Sequence, residues 1–188
     1  MSSLKNSIQE SIKVHQALLE NKTLLDNVSQ LAFAIVQSYE NHGKVVLCGN
    51  GGSASDALHF AGELVGRFER ERCALPAVVL NADVATMTAI SNDYGYCDVF
   101  ARQVEGFVNE NDVFIGISTS GNSENIYAAA IKAKEKGALT AAFLGKDGGK
   151  IAANVDLPIV VAYTRTARIQ EAHILLIHSL CEIIEKEF

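Results

Sequence analysis

Two side chains capable of proton and metal chemistry lie four residues apart in a segment with helical character. His59 and Glu63 occur in "SDALHFAGEL", which follows a glycine-rich turn. Four-residue spacing puts both side chains on one face of a helix. An imidazole and a carboxylate so placed can hold one metal ion or act together as acid and base. The same spacing also occurs on an ordinary salt-bridged helix face, so the pair alone does not establish a site.

Further candidates, Gln170, His173 and His178, lie in the apolar segment "RIQEAHILLIHSLCEIIEKEF", which is predicted to be helical. A histidine on such a helix is often a hydrogen-bonded core residue. Gln170 and His178 are eight residues apart, which is about 12 Å along an ideal helix axis. If both serve one site, their side chains must lean together, the helix must begin irregularly, or a second subunit must contribute.

Two polar turns follow apolar runs that resemble buried strands. "GNGGS" (49–53) follows "KVVLCG", and "STSGNS" (118–123) follows "DVFIGI". In an open α/β sheet, ligands bind beyond the carboxyl ends of the strands. The second turn brings four hydroxyl side chains into six residues before a helix, and such a group suits a phosphate. Serine and asparagine also serve as plain helix caps, but the number of hydroxyls favours phosphate binding.

The first turn also matches a dinucleotide-binding pattern, through Gly49, Gly51 and Ala54. That pattern expects an acidic residue about 20 positions further on, at the end of the second strand. Asp83 lies beyond that strand and further along the chain than expected. Neither turn is followed by the Gly-Lys-Ser/Thr of a Walker A loop. We therefore expect no nicotinamide or flavin cofactor.

The elements that would position these residues alternate along the chain. Residues 1–42 are predicted to be helical, and further helices are predicted at 53–70, about 84–90, 97–109 and 123–136, and in the last segment. Short apolar runs predict five strands, at 44–49, 76–80, 112–118, 139–145 and 157–162. Such runs are typical of parallel strands covered on both faces. The alternation predicts an open, doubly wound α/β sheet in a single domain, 1–188.

Composition limits the class of protein. The chain has 188 residues, of which 48% are apolar and 20% charged, with a formal net charge of −6. These values are typical of a globular domain, and the negative charge weighs against binding to nucleic acid or anionic membranes. No apolar run has the length of a membrane span, and the first residues lack a signal-peptide core. We expect a cytoplasmic protein with four free cysteines.

The last predicted helix is apolar on nearly every face between Ile174 and Ile184. A helix that is apolar all round is buried on all sides. In a chain of this length, packing against another subunit achieves this most easily. The pattern therefore predicts a homo-oligomer with this helix near its centre.

Several ordered motifs together resemble the sugar-isomerase (SIS) domain family, and within it the phosphoheptose isomerases. They are "CGNGGSASDALHFAGEL", "AISNDYG", "GISTSGNS", "GKDGGK" and "ARIQEAHILLIH". The resemblance covers nearly the whole chain. It implies a flavodoxin-like three-layer sandwich, with a parallel five-stranded sheet, helices on both faces and N-terminal helices (1–42) that pack on the domain and in the oligomer. It also implies a homotetramer with active sites between subunits and one zinc ion per subunit.

The reaction implied by the resemblance converts sedoheptulose 7-phosphate to D-glycero-D-manno-heptose 7-phosphate, for the heptose of lipopolysaccharide or capsule. Glu63 and His178 match the family's acid–base pair, with the assignment of each proton transfer open. The metal ligands implied are His59, Glu63, Gln170 and His178. The implied substrate-binding residues are Asn50, Gly51, Gly52, Glu63, Asn92, Asp93, Ser118, Thr119, Ser120, Ser123 and Gln170.

The chain departs from the family pattern at two places. Gly62 stands where many relatives have a second glutamate, and Thr164, Arg165 and Ala167 occupy a stretch where many isomerases have an acidic residue. These differences bear on sugar preference and rate. The alternative function is that of a non-catalytic SIS-domain protein that binds the replication initiator. Such proteins lack the histidine that matches His178, and this chain has it.

Overall fold

The computed structural model describes residues 2–188 and contains five strands and eight α-helices. The strands are β1 (Val45–Gly49), β2 (Ala77–Val79), β3 (Val113–Ser118), β4 (Leu139–Gly145) and β5 (Leu157–Val161). The helices are α1 (Ser2–Glu20), α2 (Lys22–Glu40), α3 (Gly52–Val65), α4 (Val84–Asp93), α5 (Ala101–Phe107), α6 (Glu124–Glu135), α7 (Gly149–Ala152) and α8 (Thr166–Glu185). A 3₁₀ turn spans Tyr96–Asp98.

The five strands form one parallel sheet in the order β2-β1-β3-β4-β5. Every residue of β1 and β3 is buried, as expected for apolar strands that are covered on both faces. In the register of this central pair, Val45 lies opposite Val113 and Gly49 lies opposite Ile117. The strand order is the flavodoxin-like one, so the predicted fold class is confirmed.

Each face of the sheet has its own hydrophobic core. One core joins the sheet to α1, α2, α3 and α8, and it includes Ile35, Phe60 and Ile177. The other core joins the opposite face to α5, α6 and α7, and it includes Phe100 and Ile126. The helices therefore form the two outer layers of a three-layer sandwich.

Three predicted helical segments differ in extent from the observed ones. The N-terminal segment is two helices, because Asn21 ends α1 and its side chain accepts a hydrogen bond from the Leu24 N–H group at the start of α2. The segment predicted at 97–109 consists of the 3₁₀ turn and the short helix α5. The helix predicted at 53–70 ends at Val65, where Gly66 donates its N–H to the Gly62 carbonyl and the chain leaves the helix.

Helix α8 buries a broad face within its own chain, against α2 and α3, through residues such as Leu176, Ile177 and Leu180. Leu175 and Ile183 stay exposed, at 43% and 38% of their surface. Part of the apolar surface that the sequence predicts on nearly every face of this helix is therefore not buried within one chain. None of the helices described for residues 2–188 has the length and apolarity needed to cross a membrane.

Candidate active site

The two polar turns lie side by side at the carboxyl edge of the sheet. Strands β1 and β3 are neighbours, and their last residues, Gly49 and Ser118, begin the two turns. From β1 the chain passes to α3 on one face of the sheet, and from β3 it passes to α6 on the other. This divergence is the topological switch point at which α/β proteins bind ligands.

The hydroxyl groups of the second turn cluster with one another. Ser118 Oγ lies 2.9 Å from Ser123 Oγ and 3.4 Å from Ser120 Oγ. Ser123 is the N-cap residue of α6, yet its hydroxyl makes no capping hydrogen bond to any N–H group in the described helix. Simple helix capping therefore does not account for these hydroxyls. A tight group of hydroxyls at a helix N-terminus is an arrangement that suits a phosphate anion.

The loop "GKDGGK" (145–150) fixes the shape of this hydroxyl turn. Gly121 has a positive φ of 67°, and a Cβ atom there would lie 2.1 Å from the Gly148 carbonyl oxygen. Ile151 donates its N–H to the Gly121 carbonyl, and Lys150 donates its N–H to Asn122 Oδ1. The two loops touch backbone to backbone, which explains why both are rich in glycine.

In the first turn, glycines allow close approach by a side chain from α8. Gly51 has a positive φ of 58°, and a Cβ atom on Gly52 would lie 2.3 Å from Gln170 Nε2. The Gln170 amide therefore lies directly against the start of α3. Gly51 and Gly52 are both exposed, so the turn presents backbone to solvent.

Asn50 is held by two residues that the sequence did not indicate. Its amide exchanges hydrogen bonds of 2.9 and 3.0 Å with Asn125 on α6, and it accepts one of 2.8 Å from the Tyr96 hydroxyl. Asn92 and Asp93, four and three residues before Tyr96, are exposed at the end of α4, where the Asn92 amide donates to the Asp93 carboxylate. Asn125 is buried, and its role depends on a partner 75 residues away, so the sequence carried no local signal for it.

His59, Glu63 and His178 converge at the contact between α3 and α8. His59 Nε2 lies 2.9 Å from His178 Nε2 and 3.1 Å from Glu63 Oε1. One ligand atom from each of the three residues lies within 4.8 Å of the other two. Ligands at about 2.05 Å in tetrahedral zinc coordination are separated by roughly 3.3 Å, so these distances fit a zinc-sized cation.

Gln170 lies apart from this cluster in the same chain. Helix α8 begins at Thr166 and runs without a break through Gln170 and His178, which leaves them about 12 Å apart along the axis. Gln170 contacts Gly52, whereas His178 contacts His59, about two turns further along α3. An irregular helix start, one of the three ways to unite the two residues, is therefore excluded.

Burial shifts the pKa values of two residues of α8, Cys181 and His173. Burial raises the pKa of the Cys181 thiol to about 12, with the nearby Glu63 carboxylate contributing, so this sulfur stays neutral. Burial lowers the pKa of His173 to about 4, and its Nε2–H donates to the Leu144 carbonyl. His173 is thus a neutral core residue, as its apolar context indicated. The His178 ring has two aromatic neighbours, His59 and Phe68, with ring centroids at 5.1 and 5.5 Å from its own.

Comparison with known proteins agrees with this architecture. The model of the SIS domain family matches residues 9–145. Phosphoheptose isomerase of Sulfurimonas denitrificans is 48% identical over 98% of this chain and 94% of its own length. The chain belongs to the SIS-domain family, among the phosphoheptose isomerases. The family resemblance that the sequence motifs indicated is confirmed.

Other phosphoheptose isomerases show the same extent of likeness. That of Clostridium acetobutylicum is 46% identical over 98% of this chain and 94% of its own. The solved structure of phosphoheptose isomerase from Neisseria gonorrhoeae superposes with a TM-score of 0.93, at 43% identity over 98% of both chains. The likeness to members of this SIS-domain family thus extends over the whole sheet and all its helical layers.

Proposed function

We propose that the chain is an aldose–ketose isomerase that converts sedoheptulose 7-phosphate to D-glycero-D-manno-heptose 7-phosphate. The product would enter heptose biosynthesis for lipopolysaccharide or capsule. The observation that carries the proposal is the convergence of His59, Glu63 and His178 in a chain that also has a cluster of hydroxyls at the switch point. The relatives' name, phosphoheptose isomerase, supports the same substrate class.

The chemistry requires one proton to move from C1 to C2 and another to move from O1 to O2. In our proposal the Glu63 carboxylate removes the C1 proton and returns it at C2, passing through an enediol. The His178 imidazole transfers the proton between the two oxygens. General acid–base catalysis of this kind contributes roughly 10²–10⁴-fold to the rate.

A bound zinc ion would stabilise negative charge on the enediolate oxygens as a Lewis acid. His59, Glu63 and His178 supply three donors of the types that zinc prefers. Gln170 is the proposed fourth ligand, and in our proposal a second copy of the chain supplies it, since Gln170 lies two turns away from His178 in its own chain and contacts Gly52 there. We propose one zinc ion per subunit.

Substrate binding positions C1 and C2 against these groups. Ser118, Thr119, Ser120 and Ser123 are proposed to hold the phosphate. Asn50, Gly51, Gly52, Asn92, Asp93, Glu63 and Gln170 are proposed to contact the sugar. Fixing the phosphate end of a flexible substrate reduces the entropy that must be lost at the reacting end.

The exposed surface of the chain supports a homotetramer with active sites between subunits. Leu58 and Val65 on α3 are 47% and 48% exposed, on the helix that carries His59 and Glu63, and Leu175 and Ile183 are exposed on α8. None of the ten residues Val84–Asp93 of α4 is buried in the chain. Apolar surface of this kind around a proposed site is typical of an interface.

The direct test is to incubate the protein with sedoheptulose 7-phosphate and to follow aldose formation with and without a chelator. We expect activity that is lost with the chelator and restored by zinc, from a species with the mass of a tetramer in light scattering. No aldose formation by folded, zinc-loaded protein would refute the proposal. The non-catalytic alternative has no support among the observations, and the cytoplasmic location stays a prediction.

A further inference from the structure

A loop that follows α3 contacts both helices of the acid–base cluster. This loop, residues 66–76, is named the strap loop here. It places the Phe68 ring 5.5 Å from the His178 ring. The other aromatic neighbour of the His178 ring is His59. Phe68 is partly buried and packs against the core that contains α3 and α8. The orientation of the His178 imidazole is thus limited by a strap-loop side chain.

The strap loop also holds the end of α3 through a buried arginine. Arg72 donates from Nη2 to the Glu63 carbonyl at 2.7 Å and from Nη1 to the Leu64 carbonyl at 2.8 Å. Only 2% of the Arg72 side chain is exposed. Carbonyls in the last turn of a helix have no partner within the helix. Arg72 supplies donors at the turn that carries Glu63, which prevents this turn from fraying.

The strap loop is also hydrogen-bonded to the last turn of α8. The Glu185 carboxylate accepts hydrogen bonds from the N–H groups of Glu69 and Arg70, at 3.0 and 2.8 Å. Glu185 is 3% exposed, and its Oε1 lies 3.7 Å from Arg72 Nε. Glu185 follows His178 by seven residues, or about two turns of α8. The loop therefore ties the end of α3 to the end of α8, and the cluster lies between the tied helices.

We propose that the strap loop is the positioning element of the acid–base pair, in which Arg72 fixes Glu63 through its backbone and Phe68 fixes the His178 ring. The inference rests on the proposed function. Both are positioning residues, because they act through Glu63 and His178. The strap loop is remote from the hydroxyl turn, so its loss lowers kcat and leaves KM for the sugar phosphate nearly unchanged.

The experiment compares Arg72→Met, Arg72→Lys and Phe68→Leu with a matched control, Thr140→Val. Thr140 is fully buried in β4, two strands away from β1, where its hydroxyl donates to the Asp156 carboxylate. Its loss therefore lowers stability at a site that does not contact the cluster. Each variant is assayed for kcat, KM, Tm, and the affinity and visible absorption spectrum of bound Co²⁺. We expect kcat and Co²⁺ affinity to fall roughly 10–100-fold in Arg72→Met and Phe68→Leu. Arg72→Lys, which keeps a donor, should recover part of the loss.

The control separates positioning from stability. If the strap-loop variants lose Tm as Thr140→Val does but keep the parent kcat and Co²⁺ spectrum, the proposal is overturned. If Arg72→Met does not fold, Phe68→Leu and Arg72→Lys decide by the same measurements. If the parent protein does not isomerise the sugar, the proposed function fails independently of the positioning role. The Co²⁺ spectra of the variants then decide whether the strap loop positions the cluster. Absence of Co²⁺ binding by the parent protein would overturn the inference as well.

Discussion

Replacement of Glu63 by glutamine isolates the proposed base with little change in shape. The amide has nearly the volume of the carboxylate but cannot accept a proton from carbon. Loss of general base catalysis costs roughly 10²–10⁴-fold in kcat. At about 1.4 kcal/mol for each factor of ten, the barrier rises by about 3–5 kcal/mol. A decrease of this size is measurable in an aldose-formation assay.

The same substitution should hardly affect folding. Glu63 pairs with His59 at 3.1 Å, but the two side chains are 23% and 46% exposed. A helical pair that is solvated to this extent contributes about 0.3–0.5 kcal/mol. In a domain of this size such a loss lowers Tm by about 1–2 °C. We therefore expect a large loss of kcat with almost unchanged thermal unfolding.

Glu135→Gln is the matched control, because it removes one carboxylate from an exposed pair with Lys132 on the opposite face of the sheet. It should leave kcat at the parent value. Aldose formation by folded Glu63→Gln at the parent rate would refute the role of Glu63 and, with it, the chemical interpretation of the cluster. His178→Gln tests the partner in the same assay.

Three further predictions concern the other parts of the molecule. Ser123→Ala should raise KM roughly 10–100-fold at nearly constant kcat, because a hydrogen bond to a charged group contributes about 1.5–3 kcal/mol; an unchanged KM would exclude Ser123 from phosphate binding. Gly52→Ala should fold normally and lose activity by about 10²-fold, because the methyl group displaces the Gln170 amide, and such small misplacements have effects of this size; Gly106→Ala, where the methyl group meets no described atom within 4 Å, is its control. Burial lowers the pKa of His173 to about 4, so below pH 6.5 the unfolded chain binds a proton at this residue while the folded protein does not. The free energy of unfolding should therefore fall by up to about 3 kcal/mol as the pH falls from 6.5 toward 4. Denaturant unfolding should show this pH dependence in the parent protein and not in His173→Gln.

Local sequence determined much of the fold because its strands are buried on both faces. The run "KVVLCG" is apolar throughout, and the structure buries all of β1. The glycine and serine turns were visible for a similar reason, since they follow such runs directly. The distance between Gln170 and His178 along the helix axis could also be predicted from their eight-residue separation, because α8 is a regular helix over both residues.

Features that depend on distant residues could not be read locally. The residues after Val65 have helical character in sequence, yet Arg72 and Glu185 take over the hydrogen bonds of this region. The Asn50–Asn125 pair joins residues 75 apart, and only the alignment of β1 with β3 brings them together. Periodicity describes how one segment buries itself, and it contains no information on which other segment supplies a partner.

The pairing of β1 with β3 also determines when the crevice between the glycine turn and the hydroxyl turn can form as the chain folds. These strands are linked at their amino ends by Lys44 and Asp112, which are 68 residues apart, through a hydrogen bond and an ion pair in which the Asp112 carboxylate is buried. Closing so long a loop costs chain entropy before the contacts repay it, and parallel sheets therefore fold slowly. The glycine turn and the hydroxyl turn can each form locally, but they face each other only after this loop has closed. A folding intermediate that contains β3, β4 and β5 would already have the hydroxyl turn and would have no crevice.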